Sequence, residues 1–212
     1  MRKILTKHIL QQGNLDGMCL LYSILNAYKI LMKDGNTSDV FSKSIGEKWY
    51  KISSIVPSIV NFVSGRGTDF SGVLSPAENI LVEESIIRNT LDILNNNETG
   101  NIIAHRKILK SEAQAGLVSA VVKNLSNDSV IIFALTDKSN TSYYEKTSHW
   151  VCAVDHDDEN IFLACSYAPI FGSEEIRSKK YEHRYINNLI NKDKFNPTTV
   201  EAGSLYVLKL MQ

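Results

Sequence analysis

An excess of charge of one sign is missing from this sequence. Lys and Arg together number 23, as do Asp and Glu, so the formal net charge at pH 7 is zero. A chain without net charge has no long-range attraction for nucleic acid or for an anionic membrane surface. We therefore expect no nucleic-acid partner.

Cysteine is scarce, and long apolar runs are missing too. The three cysteines, Cys19, Cys152 and Cys165, are an odd number without CxxC spacing, so the sequence predicts neither a disulfide framework nor a zinc ribbon. No run approaches the roughly 20 apolar residues of a membrane span. Polar residues interrupt the first 12 positions before a signal-peptide core can form. We expect a cytoplasmic protein, with export by a route that uses no cleavable signal left open.

The spacing of apolar residues predicts an α+β fold in a single domain that spans residues 1–212. Apolar residues recur at helical spacing in the first two thirds of the chain and in short β-rich runs after residue 128. The predicted helices cover 18–33, 49–63 with a kink or break at Pro57, 75–94 and 111–123. The predicted strands cover 129–135, 149–154, 160–165 and 204–210, with a further strand near 102–103. We expect the later strands to form an antiparallel sheet.

The stretch Asn14–Ala27 carries the first candidate for chemistry. A turn-prone Asn-Leu-Asp-Gly sequence runs directly into a long apolar helix, so the thiol of Cys19 falls in the first helical turn. Unpaired backbone N–H groups and the positive end of the helix dipole favour a thiolate there. Cys19 is the predicted nucleophile, although a lone cysteine on an apolar helix is also a common core residue. Asp16 is predicted to cap the helix and order the turn.

His149 is the predicted general base. It stands directly before an apolar strand, 130 residues after Cys19 (149 − 19), and a base has to be near its thiol only in space. The other histidines lie beside charged residues or in a turn, where solvated surface groups are expected. A metal site built from His149, Cys152 and His156 is disfavoured, because strand alternation puts the first two on opposite faces.

The remaining members of the site are less sharply defined. If residues 157 and 158 form the hairpin turn, cross-strand positions sum to 315, and Ser166 lies opposite His149 as the group that orients the imidazole. Asp155, Asp157 or a residue elsewhere are alternatives for that role. Gln12 is the first choice for a side-chain donor to the oxyanion, beside the backbone N–H of the nucleophile, with residues 11 and 14 as alternatives.

These residues resemble the papain-like cysteine hydrolase superfamily. The shared pattern is Gln12, then Asp16-Gly-x-Cys19 leading into a central helix, then His149-Trp and an apolar hairpin. The compact bacterial members, which include bacteriocin-leader peptidases and secreted effectors, are the most similar. The segment around Cys19 is also similar to the nucleophile motif of ovarian-tumour-type deubiquitinases. The sequence differs in having Ser166 where an Asp or Asn is expected, and Leu in place of Gly after the cysteine.

The resemblance implies a papain-like α+β fold, with an N-terminal central helix that carries Cys19, a helical middle region and a C-terminal antiparallel sheet that carries His149. It implies hydrolysis of an amide, peptide or isopeptide bond in a protein or peptide substrate through a thioester, without a cofactor or metal. A glutamine deamidase, a deubiquitinase-like enzyme, an acyltransferase and a catalytically inactive papain-like binding module are the alternatives. Cys152 and Cys165 are expected to pack inside strands.

Overall fold

The computed structural model describes residues 19–32, 48, 51–52, 76–96, 100–114, 116–135, 149–164, 189–196 and 200–211. At 76–80, 114, 149, 189 and 201–202 the description is of the backbone. None of the helices in these ranges is both long and apolar enough to cross a membrane.

Helices and one antiparallel sheet make up the described part of the chain. The helices are α1 (Cys19–Leu31), α2 (Pro76–Asn95), α3 (Lys110–Gln114) and α4 (Leu117–Asn124). The strands are β1 (Ile102–Lys107), β2 (Ser129–Leu135), β3 (His149–His156), β4 (Asn160–Ala164), β5 (Leu189–Asn191) and β6 (Val200–Met211). A 3₁₀ turn at Lys192–Lys194 follows β5. The strand order is β1-β6-β2-β3-β4-β5, which confirms the predicted α+β class.

Helix α1 is buried because apolar residues occupy most of its circumference. Ten of its 13 residues are buried, and α1 packs mainly on β3 and β2. Helix α2 packs beside it, over β1 and β6. We call this side of the sheet the α1 face. Its buried strand residues include Val130, Ile132, Trp150, Cys152 and Tyr206. Each fully buried large apolar side chain contributes about 1.5–3 kcal/mol to folding, so α1 is a central element of the fold.

Helix α4 covers the other side of the sheet, which we call the α4 face. Leu117 and Val121 of α4 pack there with the odd-numbered residues Ile131, Phe133 and Leu135 of β2. Because the even-numbered residues of β2 belong to the α1 face, this strand is buried on both sides. Burial on both faces explains why residues 129–135 read as one continuous apolar run rather than an alternating pattern.

Most predicted elements lie where the sequence placed them, and one helix differs. The predicted helix 111–123 is two helices, because Gly116 between them adopts a φ of +123° that interrupts the helical backbone. The first of these begins at Lys110, and the Glu112 carboxylate accepts a hydrogen bond of 2.9 Å from the backbone N–H of Leu109. Leu109 is therefore the N-cap residue of this helix in place of Ser111, and Glu112 accepts from its backbone N–H as in a capping box. The predicted helix 49–63 and its kink lie outside the described residues except at 51–52, and β5 was not predicted.

The predicted register of the β3–β4 hairpin is wrong. The observed partners are Cys152↔Ala164 and His156↔Ile161, with an irregularity between Ala153 and Asp155, so the positions sum to 316 and then 317 rather than 315. The Asp157 carboxylate accepts hydrogen bonds from the backbone N–H groups of residues 159 and 160, at 2.9 and 2.7 Å. These bonds centre the turn one residue later than predicted. The basis for pairing Ser166 with His149 is thereby lost.

Candidate active site

Cys19 is the first described residue of α1, and the residues that precede it lie outside the described part of the chain. Its side chain is not in a disulfide, and the residue is only 4% exposed. Its backbone carbonyl accepts a hydrogen bond of 2.8 Å from the Ser23 hydroxyl, one turn along the helix. The backbone N–H groups of a helix's first turn have no partner within the helix. These N–H groups and the helix dipole favour a thiolate in that turn.

His149 is the first residue of β3, the strand on which α1 mainly packs. Its partner on β2 is Leu135, which belongs to the α4 face. Regular alternation along β3 gives position 149 the same face as Val151 and Ala153, whereas Cys19 is packed on the α1 face. A direct Cys19–His149 pair therefore requires β3 to depart from regular alternation at its first residue.

The sheet is irregular beside this position. Pairing of β6 with β2 runs to Phe133↔Leu205 and resumes at Leu135↔Val200, so five steps along β6 match two steps along β2. Leu135, where the pairing resumes, is the partner of His149. Bulges bend a strand and re-aim its side chains, and they are frequent next to active sites. The irregularity lies one strand away from the predicted base.

The other predicted members of the site are not assembled by the described residues. Gln12, Asp16 and Ser166 lie outside them. Asp155, an alternative orienting group, is six residues along β3 from His149, or about 20 Å at roughly 3.3 Å per residue. Asp157 is farther still and caps the hairpin turn. Both aspartates are therefore too distant to hold the imidazole.

Cys152 is a packing residue, as predicted. It is fully buried on the α1 face, and burial raises the pKa of its thiol far above the usual range. Its nearest polar contact is the carbonyl oxygen of Ala153, 3.8 Å from Sγ. A thiol in this environment stays protonated and unreactive. Within the described ranges, no group of three or more His, Cys, Asp or Glu side chains is arranged to hold a metal ion.

Sequence reasoning missed a buried polar cluster on the α1 face, formed by Glu83, Ser204 and Tyr206. Glu83 of α2 is 0% exposed, and its carboxylate accepts hydrogen bonds from the hydroxyls of Ser204 and Tyr206 on β6, at 2.9–3.0 Å. Helical spacing offered a signal, because Glu83 precedes the buried residues Ile87 and Leu94 by 4 and 11 positions on one face of α2. A carboxylate on an apolar stripe indicates a buried partner.

Comparison with known proteins finds no matching family model, no matching curated protein and no matching solved structure.

Proposed function

We propose that this chain is a cysteine hydrolase with a papain-like fold, in which the Cys19 thiolate attacks the carbonyl carbon of an amide, peptide or isopeptide bond. The observation that carries the proposal is the position of Cys19 as the first described residue of a buried helix. Helix-start cysteines are activated by the local backbone N–H groups and the helix dipole. The sequence before the cysteine, Asp16-Gly-Met, is typical of a turn, which such a site needs.

In the proposed mechanism His149 takes the proton from the Cys19 thiol as the new C–S bond forms. The tetrahedral intermediate collapses, the C–N bond breaks, and the imidazolium returns its proton to the leaving nitrogen. Water, activated by the same imidazole, then hydrolyses the thioester and releases the free thiol. The backbone N–H of Cys19 and the Gln12 amide stabilise the oxyanion.

His149 begins β3, the strand that α1 covers, but regular alternation gives its position the α4 face. The proposal requires this first residue of β3 to leave the regular alternation and reach the side of the sheet that carries Cys19. The nearest irregularity is the bulge in β6 beside Leu135, whereas the pairing of β3 with β2 is regular as far as His149. The substrate class is a protein or peptide, and a glutamine side chain is an alternative amide on the same chemistry.

The test is a substrate screen of the wild-type protein with two cysteine variants. The panel contains fluorogenic peptides, glutamine peptides scored by ammonia release, and isopeptide-linked ubiquitin-type conjugates. We expect Cys19→Ala to lower turnover by about 10⁴-fold or more, the scale seen when a nucleophile is removed. Cys152→Ala is the matched control, since this thiol is buried and unreactive, and it should keep most of the activity. Equal turnover in wild type and Cys19→Ala would refute the proposal.

A catalytically inactive papain-like binding module is the second candidate. Two observations favour it: Cys19 is only 4% exposed, and regular alternation puts position 149 on the α4 face. If the screen gives no Cys19-dependent turnover, while Cys19→Ala leaves the fold and the cellular effect of the protein unchanged, this second function is the correct one.

A further inference from the structure

The buried cluster of Glu83, Ser204 and Tyr206 lies where the sheet is irregular. Both hydroxyls that bind the Glu83 carboxylate come from β6. Ser204 stands within the extra length of β6 between its pairings at 200 and 205, and Tyr206 lies just beyond it in the regularly paired part of β6, opposite Ile132. One carboxylate on α2 thus holds β6 on both sides of position 205. Removing a carboxylate from water costs several kcal/mol, and hydrogen bonds from both hydroxyls offset that cost.

The cluster extends through Tyr206 to Trp150. The two ring centroids are 6.2 Å apart with an interplanar angle of 32°, within the range of favourable aromatic pairs. The ammonium of Lys107 lies over the Tyr206 ring at 5.4 Å. The Tyr206 ring is therefore held at its hydroxyl by Glu83, on its face by Lys107 and beside it by Trp150.

Packing rather than hydrogen bonding holds the Trp150 indole. The residue is 1% exposed, and its Nε1–H has no hydrogen-bond acceptor among the residues that the structure describes. Buried indoles usually find an acceptor. The orientation of Trp150 consequently depends on the aromatic contact with Tyr206 and on the apolar side chains of the α1 face. Trp150 directly follows His149, so the same contact fixes the start of β3.

We propose that Glu83 and Tyr206 are positioning residues, which set the backbone position of His149 by clamping Trp150 at the start of β3. The proposal rests on the proposed function, in which His149 is the base. Neither residue touches the substrate. Their effect passes through a carboxylate–phenol hydrogen bond and one aromatic contact, and a small displacement at a reacting group is enough to slow a reaction by about 10²-fold.

The test compares Tyr206→Phe with Ser204→Ala. Each substitution removes a hydroxyl that binds the same buried carboxylate, but only Tyr206→Phe removes the hydrogen bond of the ring that contacts Trp150. The first readout is the NMR titration of the His149 imidazole in the full-length protein, assigned with His149→Gln. We expect Tyr206→Phe to move the titration midpoint by roughly half a pH unit, a threefold change in the ionisation constant, and Ser204→Ala to leave it unchanged. Unfolding in urea should show comparable stability losses.

The second readout is turnover of the best substrate, where Tyr206→Phe should lower kcat about 10-fold or more with little change in KM. Equal effects of the two variants on the imidazole would overturn the positioning role and leave only a stabilising one. Should Tyr206→Phe fail to fold, Glu83→Gln replaces it, because the amide keeps an oxygen acceptor and a similar size. A shifted imidazole in a protein without Cys19-dependent turnover would support the clamp and defeat the proposed hydrolase. Cys19-dependent turnover, with the same His149 titration midpoint in Tyr206→Phe and Ser204→Ala, would refute the positioning role and leave the proposed hydrolase standing.

Discussion

Loss of the Glu83 carboxylate should destabilise the protein strongly. Glu83→Ala takes a charged acceptor from two buried hydroxyls, those of Ser204 and Tyr206. A hydrogen bond to a charged group contributes about 1.5–3 kcal/mol, so two of them give about 3–6 kcal/mol. A typical domain has only about 5–15 kcal/mol of stability. Glu83→Gln keeps an oxygen acceptor without the charge and should cost roughly half as much.

Urea denaturation followed by circular dichroism measures this free energy, provided that the transition is two-state. A second comparison isolates the cause. Glu83→Leu leaves the hydroxyls of Ser204 and Tyr206 buried without their acceptor. Adding Ser204→Ala and Tyr206→Phe removes these hydroxyls, and replacing all partners of a hydrogen bond by apolar groups changes the free energy of unfolding little. We expect this triple variant to be more stable than Glu83→Leu alone. A loss below about 1 kcal/mol for Glu83→Ala would show that the carboxylate does not hold β6.

Two further predictions concern the break between α3 and α4 and the β3–β4 turn. Gly116→Ala should lower the free energy of unfolding by about 1–3 kcal/mol through backbone strain at φ +123°. Steric overlap does not contribute, because the added Cβ would meet nothing closer than 3.9 Å. The matched control Gly203→Ala, at an ordinary φ and in open space, should leave the melting temperature nearly unchanged. Backbone N–H groups of residues 160 and 159 hold the pKa of Asp157 below its ordinary value, so its stabilisation is present above pH about 3.9 and is lost as the pH falls through the lower folded-state pKa. Asp157→Asn should flatten this acid dependence of the urea midpoint, and an unchanged slope below pH 4 would contradict the assignment.

Helix and strand positions were predictable where one physical rule decides them. The apolar circumference of residues 18–33 predicted a buried helix, and the observed α1 spans Cys19–Leu31. The apolar run 129–135 matches β2 residue for residue. In both cases the apolar pattern of the segment's own side chains predicts the burial that stabilises the element.

The hairpin register and the α3–α4 break were not predicted, because each depends on a single local bond or angle. The Asp157 carboxylate selects the turn by capping residues 159 and 160, and the irregularity after Ala153 changes the register again. The backbone angle of Gly116 likewise overrides the helical pattern on both sides. A glycine marks where such a break is permitted, but periodicity alone does not show that it is used.

The sequence predicted the cysteine and histidine segments of the candidate site separately, but not how they lie relative to each other. Local pattern predicted Cys19 at a helix start and His149 at a strand start; in the structure Cys19 lies in α1 and His149 in β3, and the residues that precede each are outside the described part of the chain. Their relation across the sheet depends on strand pairing, in which a shift of one residue exchanges the faces. The partners of Glu83 lie 121 and 123 residues away, so its position on an apolar stripe signals that a partner exists without identifying it.

The most direct test of the nucleophile is the rate at which iodoacetamide alkylates each cysteine of the folded protein at pH 6.5, followed by peptide mapping in a mass spectrometer. We expect Cys19 to react about 10²-fold faster than Cys152, whose thiol is fully buried. His149→Ala should remove most of that advantage, because the thiolate loses its base. A Cys19 that reacts no faster than Cys152 would contradict the assignment of Cys19 as an activated nucleophile.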